Sequence, residues 1–493
     1  MSAAAAAAGA AAFTIESIAF FERDVRLRMP FRFGVVTLTE APQAFAQVAI
    51  RLADGRQAVG MSTELLAPKW FDKNPALSNE DNFDQLRRAL QLARTLYLGT
   101  GTPATAFGHF ERNYRAQVER GAAQGLNPLV ANYGPALIDK AVLDALGRAL
   151  GLPFQKLVCR NVIGLAAGEL TPDLAGFGLG AFLATLKPAV RLAARHTVGL
   201  VDPIVAADQT DRVGDGLPET LEEVVAAYGQ RWFKLKVGGN VQADVERLVK
   251  IAGVLDRLVP AAAGDGYRCT LDGNEQYDSV EGVVRLWQAM AAEPLLTRLC
   301  EAVAFIEQPI KRAAALAEDV RALARFKPVI VDESDDTLDA FPRARALGYT
   351  GVSSKTCKGL YKSLLNRARC AKWNAEAGFA GELESGPFLM SGEDLTIQAE
   401  LALQQDLALV GLLGITHIER NGHHYVNGMA GLPVAEQQSF LEAHPDLYER
   451  SHGAVRLRIR DGFIDCASLA APAGFASRAW PEPGAMRPMK AVV

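Results

Sequence analysis

The chain has 493 residues, which is enough for two or three ordinary domains or for one large barrel with a companion domain. Its 52 lysines and arginines against 56 aspartates and glutamates give a net charge of −4, which leaves no basic field for nucleic acid. Hydrophobic residues make up 49% and charged residues 22% of the chain, which indicates neither global disorder nor a membrane protein. We therefore expect a soluble globular protein with neither nucleic acid nor a membrane as its partner.

Cysteine usage and the start of the chain bear on the cellular compartment. Six cysteines are scattered at wide spacings without a C-x-x-C pair, which is typical of reduced thiols in a cytoplasmic protein. Residues 1–12 are mostly alanine, no lysine or arginine precedes the run, and the run is too short to span a bilayer. We interpret these residues as a low-complexity terminus and expect a cytoplasmic location.

Residues 13–153 have the pattern of a small α+β domain. Two alternating stretches, IESIAFFERDVRL and AFAQVAIRL, predict an antiparallel meander. Residues 28–40 and 61–73 carry aromatic side chains without clear periodicity, and we interpret them as two loops long enough to act as lids. Helical spacing of apolar residues then extends over residues 79–150.

Residues 196–430 show a different pattern, in which short apolar runs alternate with longer helical segments. Parallel strands need helical crossovers, so this alternation predicts a (β/α)8-type barrel, a modified TIM barrel of the α/β class. The eight strand-like runs are VGLVDPI, WFKLKV, RCTLDGN, AFIEQP, PVIVDES, GVSSK, AGELES and ITHIER.

Two further segments complete the predicted organisation. Residues 154–195 are interpreted as an insertion or connection that carries an extra helix. Residues 431–493 form a C-terminal tail in which VRLRIRDGFID predicts a hairpin that returns to the first domain. The N-terminal segment and this tail would together build an α+β capping domain on the barrel.

Charged residues close most of the apolar runs, at the point where a TIM barrel places its catalytic groups. They are Lys234, Lys236, Asp272, Glu307, Asp332 and Lys355. Neighbouring strand ends are separated by about one βα unit of sequence, so each strand offers a charged group to the same rim. Residues i and i+2 of a strand share a face, so we expect three pairs to point inward: Lys234 with Lys236, Ser353 with Lys355, and Glu382 with Glu384.

Three strand ends carry the carboxylates Asp272, Glu307 and Asp332. Carboxylates that converge on one barrel mouth repel each other unless a cation lies among them, and all-oxygen ligation suits Mg²⁺ best. The alternatives are an Asx-turn for Asp272 and a helix N-cap for Asp332. Glu333 is an alternative ligand, although alternation with the inward Ile330 favours Asp332. The sequence therefore predicts a magnesium site.

Taken in order, the strand-end motifs resemble the enolase superfamily, of the mandelate racemase and muconate lactonizing enzyme type. The motifs are K-x-K (Lys234, Lys236), D-G-N (Asp272), E-Q-P (Glu307), D-E-S (Asp332) and K-x-x-K-G (Lys355 to Gly359). Enzymes of that superfamily use a Lys or His base with bound Mg²⁺. The resemblance implies that the three carboxylates bind Mg²⁺, with Mn²⁺ as the alternative, and that Lys236 and Lys355 act on opposite faces of the substrate.

The choice of lysines narrows the resemblance to one branch of that superfamily. No His-Asp pair closes the sixth and seventh runs, so the pattern resembles muconate lactonizing enzymes, dipeptide epimerases and acylamino acid racemases rather than mandelate racemase. The like charge of Lys234 is expected to favour the neutral, basic form of Lys236, which makes Lys234 a third catalytic candidate. The Asp-x-Asp motif of dipeptide epimerases is missing from the eighth run, which disfavours a dipeptide substrate.

Further residues are candidates for substrate binding. For Asn274 the alternative to substrate binding is an ordinary turn, and for Lys358 it is the start of a helix. For the aromatic residues of the two lid segments it is packing between the domains. The candidates are Asn274, Lys358, Glu384, Glu419, Phe33 and Trp70.

The sequence thus predicts an enzyme that removes the proton α to the carboxylate of a small-molecule substrate, with Mg²⁺ stabilising the enolate. Two flanking lysines favour reprotonation, as in a racemase or epimerase. A dehydratase of a hydroxy or sugar acid, or a cycloisomerase, is the alternative that uses the same enolate. Two other classes stay open, a Schiff-base aldolase and a non-catalytic binding homologue. By the resemblance, a homo-oligomer is expected, either a dimer or an octamer.

Overall fold

The computed structural model describes residues 9–33, 36–260 and 266–492. Within these ranges the strands form a four-stranded antiparallel sheet, a closed parallel barrel with one added antiparallel strand, and a separate two-stranded hairpin. Residues of the sheet domain and of the barrel contribute to one contiguous hydrophobic core. No helix in the described residues is long and apolar enough to cross a membrane.

The first part of the chain forms the antiparallel sheet and the three helices that pack on it. These elements are β1 (Phe13–Phe33), β2 (Val36–Leu52), β3 (Gln57–Leu65), α1 (Asn79–Gly99), α2 (Ala106–Ala123) and α3 (Pro128–Leu150). Helix α3 begins after the N-cap Asn127 and ends at Gly151, whose φ of 66° lies in the left-handed region. Strand β3 lies directly on α3, because a Cβ added to Gly60 would be 2.1 Å from the carbonyl oxygen of Ala141. The predicted meander is confirmed.

In the first aromatic segment, residues 28–33 and 36–40 belong to the paired strands β1 and β2, so its prediction as a loop is wrong. Phe31 lies opposite Leu38 in this pairing. Aromatic and β-branched residues fit a pleated ribbon, and the register shift between Arg26 and Phe31 lets the ribbon bend. The side chain of Phe33, a predicted substrate contact, lies outside the described residues.

Eight parallel strands, paired in chain order, form the barrel. They are β4 (Arg191–Val198), β5 (Trp232–Lys236), β6 (Arg268–Asp272), β7 (Val303–Glu307), β8 (Val329–Val331), β9 (Gly351–Ser354), β10 (Leu389–Gly392) and β11 (His417–Glu419). Strand β11 pairs with β4, His417 opposite Ala193, and this pairing closes the ring. The predicted (β/α)8-type barrel with an α+β capping domain is confirmed.

Two of the predicted strand runs are wrong. The first strand is Arg191–Val198 rather than VGLVDPI. Its arginines and histidine obscure the apolar pattern of a buried strand, although Arg195 is fully enclosed in the barrel. The seventh strand is Leu389–Gly392 rather than AGELES, since residues 383–385 form only a 3-10 turn. The inward pair expected of Glu382 and Glu384 is therefore wrong as well.

Helices precede and separate the barrel strands. Those before the barrel are α4 (Phe154–Cys159) and α5 (Leu179–Thr185), and those within it are α6 (Leu221–Tyr228), α7 (Val241–Leu258), α8 (Val280–Ala292), α9 (Thr297–Ala302), α10 (Arg312–Ala315), α11 (Arg321–Ala324), α12 (Ala340–Ala346), α13 (Leu360–Glu376) and α14 (Leu401–Leu413). Inside the barrel, Phe305, Ile330 and Leu389 pack together. Each lies two or more residues before a strand-end charge on the same strand face, so they form an apolar layer below the mouth.

The tail contacts both domains. Helix α15 (Gly422–Tyr425) precedes it, and its elements are α16 (Val434–Ala443), β12 (Tyr448–Ser451), β13 (Ala454–Leu457), β14 (Phe463–Asp465) and β15 (Arg487–Pro488). The predicted hairpin in VRLRIRDGFID is reduced to one antiparallel bridge between Arg460 and Phe463, because β13 pairs with β12 while β14 lies antiparallel beside β4 of the barrel. Strand β15 pairs with β1, with Pro488 opposite Phe21, so the tail does return to the capping sheet.

Candidate active site

The barrel mouth brings the predicted strand-end charges together. Lys236 and Asp272 are the last residues of β5 and β6 and lie opposite each other, and Asp272 lies opposite Glu307, the last residue of β7. Asp332 and Lys355 follow directly after β8 and β9. All five side chains are buried, beneath the capping domain.

Lys236 is held between a carboxylate and an amide. Its Nζ lies 2.5 Å from Asp272 Oδ2 and 2.5 Å from Asn274 Oδ1. Asn274 adopts a positive φ of 38°, and its backbone N–H donates to Asp272 Oδ1 at 2.8 Å. Burial opposes the charge of Asp272, but the ammonium groups of Lys234 and Lys236 outweigh it and lower the pKa of Asp272. The predicted contact residue Asn274 therefore lies at the mouth.

Lys355 is paired with the next carboxylate and covered by an aromatic ring. Its Nζ lies 2.6 Å from Asp332 Oδ2 and 4.3 Å from the centre of the Trp70 ring. Burial disfavours its charge, but the carboxylates of Asp332 and Glu307 prevail and raise the pKa of Lys355. The Trp70 carbonyl accepts a hydrogen bond from Arg312 at 2.8 Å, so the second lid segment is fixed to the barrel at this point.

Lys234 lies deeper, among four carboxylates. Its Nζ is within 3.1 Å of one oxygen from each of Asp272, Glu307, Glu393 and Glu419. Burial opposes the charge of Lys234, yet these carboxylates raise its pKa well above the ordinary value. Its charge is thus compensated by four carboxylates, and its predicted catalytic role stays a prediction.

Asp272, Glu307 and Asp332 offer the oxygen ligands and the negative charge that suit a divalent cation. They lie at the ends of three neighbouring strands of the barrel. In the described part of the chain, no three His, Cys, Asp or Glu side chains are placed to hold a metal ion as they stand. Ammonium groups fill the space instead: Lys234 contacts both Asp272 and Glu307, and Lys355 contacts Asp332. The ammonium groups of Lys234 and Lys355 therefore neutralise part of the negative charge of these carboxylates.

The negative charge of Glu307 is only partly neutralised by its neighbours. Burial, followed by the negative charges of Asp272 and Glu393, raises its pKa well above the ordinary value. Its Oε2 lies 2.9 Å from Lys234 Nζ but has no partner with hydrogen-bond geometry among the described residues. A second positive charge at this oxygen would relieve both conditions.

Lys358 and Glu333 flank Asp332 on two sides. Lys358 Nζ lies 2.8 Å from Ser353 Oγ and 3.0 Å from Asp335 Oδ2, and Ser353 in turn donates to Asp332 Oδ1. Glu333 accepts from Asn274 Nδ2 at 3.1 Å. Lys358 is thus close to the predicted site, and Glu333 faces a different partner from Asp332.

Two other candidates for substrate contact are placed differently. Glu384 accepts hydrogen bonds from the backbone and side chain of Thr416, just before β11 begins, so it lies at the opposite end of the barrel from Lys236. Glu419 is at the mouth, but its oxygens already bind Thr197, Lys234 and the backbone of Asp394.

Sequence reasoning missed Glu393 and Arg195. Glu393 follows β10 directly, binds Lys234 at 2.7 Å and pairs with Arg195 inside the barrel. The run LMSG ahead of Glu393 is short and contains serine and glycine, so its only signal as a strand is its place between two helices.

The two lid segments are fixed to the barrel by ion pairs. Arg28 binds Asp215 through both Nε and Nη2, at 2.6 and 2.8 Å. Lys73 lies 2.5 Å from Glu275, which also binds Arg312. These contacts close the capping domain over the mouth.

Comparisons with known proteins agree with this geometry. Residues 216–385 match the family model described as enolase C-terminal domain-like. No curated protein matches the chain.

Among solved structures, the chain is similar to a muconate lactonizing enzyme from Pseudomonas fluorescens, complexed with muconolactone, at 19% identity and a TM-score of 0.55. That alignment covers 96% of this chain and 97% of the other. A racemase from Streptomyces coelicolor with bound magnesium is 15% identical, with a TM-score of 0.55 and coverage of 94% and 97%. A mandelate racemase/muconate lactonizing enzyme from Sorangium cellulosum, so named provisionally, is 18% identical, with a TM-score of 0.54 and coverage of 95% and 99%. At these identities the likeness concerns the fold.

Proposed function

We propose that the protein is an enzyme of the enolase superfamily, whose family model matches its residues 216–385, and that it removes the proton α to a carboxylate of a small-molecule substrate with a bound divalent cation. The resemblance to mandelate racemase and muconate lactonizing enzymes is confirmed. The observation that carries the proposal is the placement of two buried lysines. Lys236 ends β5 and Lys355 follows β9, four strands apart in a ring of eight, so the two amines face each other across the mouth.

Asp272, Glu307 and Asp332 would hold the cation, Mg²⁺ or Mn²⁺, which supplies positive charge to the substrate carboxylate as the α-proton leaves. Lys236 in its neutral form would accept the proton, with Asn274 Oδ1 holding its Nζ in place. Lys355, kept charged by Asp332 and covered by Trp70, would deliver a proton to the opposite face. The buried site excludes water, which strengthens each of these interactions.

Delivery to the opposite face inverts the α-carbon, so a racemase or epimerase is the reaction that this arrangement supports best. A dehydratase of a hydroxy or sugar acid, or a cycloisomerase, uses the same first step and differs in the group that the substrate carries. The muconate lactonizing enzyme among the similar structures favours keeping the cycloisomerase as the second candidate. A cytoplasmic location and assembly as a dimer or octamer stay predictions from the sequence.

A panel of acylamino acids, hydroxy acids and acid sugars in heavy water tests the proposal. We expect deuterium to enter the α-carbon of at least one acid, EDTA to abolish the uptake, and Mg²⁺ or Mn²⁺ to restore it. Keto-acid or lactone release from the same panel separates elimination and cyclisation from racemisation. Activity that survives EDTA, together with borohydride trapping of Lys355, would contradict the proposal in favour of a Schiff-base aldolase. No exchange with any acid would favour a binding homologue.

A further inference from the structure

Lys234 has more carboxylate neighbours than protons to donate. An ammonium group carries three N–H donors. Lys234 directs them to three carboxylates at 2.9, 2.7 and 3.1 Å: Glu307, Glu393 and Glu419. Asp272 Oδ2 also lies 2.9 Å away, but its hydrogen bond comes from Lys236. Lys234 is therefore shared between two members of the proposed metal set and two carboxylates outside it.

The two carboxylates outside the metal set are held by residues of β4, the strand that lies next to the strand of Lys234. Glu393 accepts a hydrogen bond from Arg195 on β4, at the oxygen that does not contact Lys234. Glu419 accepts from Thr197 Oγ1 at 2.5 Å and from the backbone N–H of Asp394 at 3.0 Å. Both side chains are buried, so neither can follow Lys234 if it moves.

We propose that Glu393 and Glu419 are the resident counter-ions of Lys234, and that they keep its ammonium group in place when a divalent cation binds Asp272 and Glu307. Without them, a cation at Asp272 and Glu307 would remove the only partners of a buried ammonium and leave two positive centres side by side. With them, two of the three donors of Lys234 stay bonded. Glu393 and Glu419 are thus positioning residues that act on metal affinity through Lys234. The inference rests on the proposed metal-dependent function.

Two kinds of substitution separate contact from charge. Glu393→Gln and Glu419→Gln keep the size of the side chain and remove its charge, whereas Glu393→Asp and Glu419→Asp keep the charge but shorten its reach. We expect both kinds to raise the Mg²⁺ dissociation constant of the full chain by about 10- to 100-fold, measured by titration calorimetry, as is usual for outer-shell partners of metal ligands. The exposed Glu246 on α7 is the matched control, and its Gln and Asp variants should bind Mg²⁺ as the wild type does.

Three outcomes would overturn the inference. If the Asp variants bind like the wild type while the Gln variants bind weakly, the general negative field of the site acts rather than the contact with Lys234. If all four variants bind like the wild type, the two carboxylates have no part in metal binding. If the wild type binds no Mg²⁺ at all, the proposed metal-dependent function fails together with the inference, whereas the first two outcomes leave that function intact.

A coupled variant adds a readout that a merely structural role would not give. In a Lys234→Gln chain there is no ammonium to hold, so we expect Glu393→Gln to change the Mg²⁺ dissociation constant by less than about threefold. A full penalty in that chain would contradict the inference. Circular dichroism checks the fold of each variant, and if Lys234→Gln does not fold, the comparison of Asp with Gln variants decides.

Discussion

Buried charges are paired differently in the capping domain and at the barrel mouth. In the capping domain Lys140 meets Glu64 at 2.6 Å, and Arg23 contacts Glu436 of the tail at 2.9 and 3.0 Å, so each of these two cations has its own carboxylate. Arg87 contacts three carboxylates, but Glu80 and Asp84 among them are partly exposed to solvent. At the mouth, Lys234 alone contacts four carboxylates. One-to-one pairs join elements of a fold, whereas four buried carboxylates around one ammonium leave negative charge that this ammonium alone does not balance.

The largest expected effect comes from breaking the mouth at Lys236. Lys236→Ala should lower the rate of α-deuterium exchange by about 10²- to 10⁴-fold, because a positioned general base is lost. The fold should persist, since Asp272 keeps Lys234 as a neighbour at 2.9 Å. Exchange followed by NMR measures the rate, with the exposed Lys187→Ala as the control. A rate within threefold of the wild type would remove Lys236 from the proposed mechanism.

Breaking the one-to-one pair should act on stability instead. Lys140→Met leaves the Glu64 carboxylate buried without its cation and should lower the free energy of unfolding by about 3–5 kcal/mol. Urea denaturation measures the loss. Adding Glu64→Gln removes the charge that is left without a cation and should recover much of the lost stability. Thr356, the residue after Lys355, donates to Glu64 at 2.6 Å and so connects this pair to the barrel mouth. A loss below about 0.5 kcal/mol would show that the pair is not a separate stabilising unit.

The mouth was largely predictable from the sequence, because each charge follows a short apolar run. The apolar run shows where the strand ends, and the alternation of side chains along a strand shows which of them point inward. These two signals suffice for Lys236, Asp272 and Glu307. The same rule failed for β4 and β10, whose polar side chains pair inside the barrel. Arg195 makes β4 look exposed, although Glu393 neutralises it within the core.

Contacts between distant segments could not be predicted, because no local pattern encodes them. The four neighbours of Lys234 come from four different strand ends, and their convergence depends on the closure of the ring between β11 and β4. The ring of Trp70 reaches Lys355 only because Arg312 fixes the backbone of the lid segment. Such placements follow from tertiary packing rather than from periodicity.

A third kind of buried charge lies at the seam between the two domains, where Glu400 has no cation of its own. Gln43 donates to its Oε1, and Oε2 has no hydrogen-bond partner within the described ranges. Burial raises the pKa of Glu400 to about 7, from 4.5. The folded chain thus prefers the protonated form, and this stabilisation is present below pH 4.5 and is lost as the pH rises through 7.

Glu400→Gln, which mimics the protonated carboxyl, should therefore stabilise the chain at pH 8 by about 2–3 kcal/mol and change little at pH 4.5. Thermal unfolding at the two pH values measures the difference. Asp446→Asn, at a carboxylate outside the seam, controls for the loss of one charge. An equal effect of Glu400→Gln at both pH values would show that Glu400 is charged throughout.

The smallest expected effect concerns the aromatic cover of Lys355, and it decides whether this lysine belongs with the one-to-one pairs or with the shared cluster. A cation–π contact contributes about 0.5–2 kcal/mol, so a double-mutant cycle of Trp70→Leu and Lys355→Met, read by urea denaturation, should give a coupling energy in that range. Trp70→Phe keeps a ring and should retain part of it. Additive single effects would mean that Asp332 alone keeps Lys355 charged, as in the capping-domain pairs. Coupling would mean that the lid supports the charge that the proposed proton delivery requires.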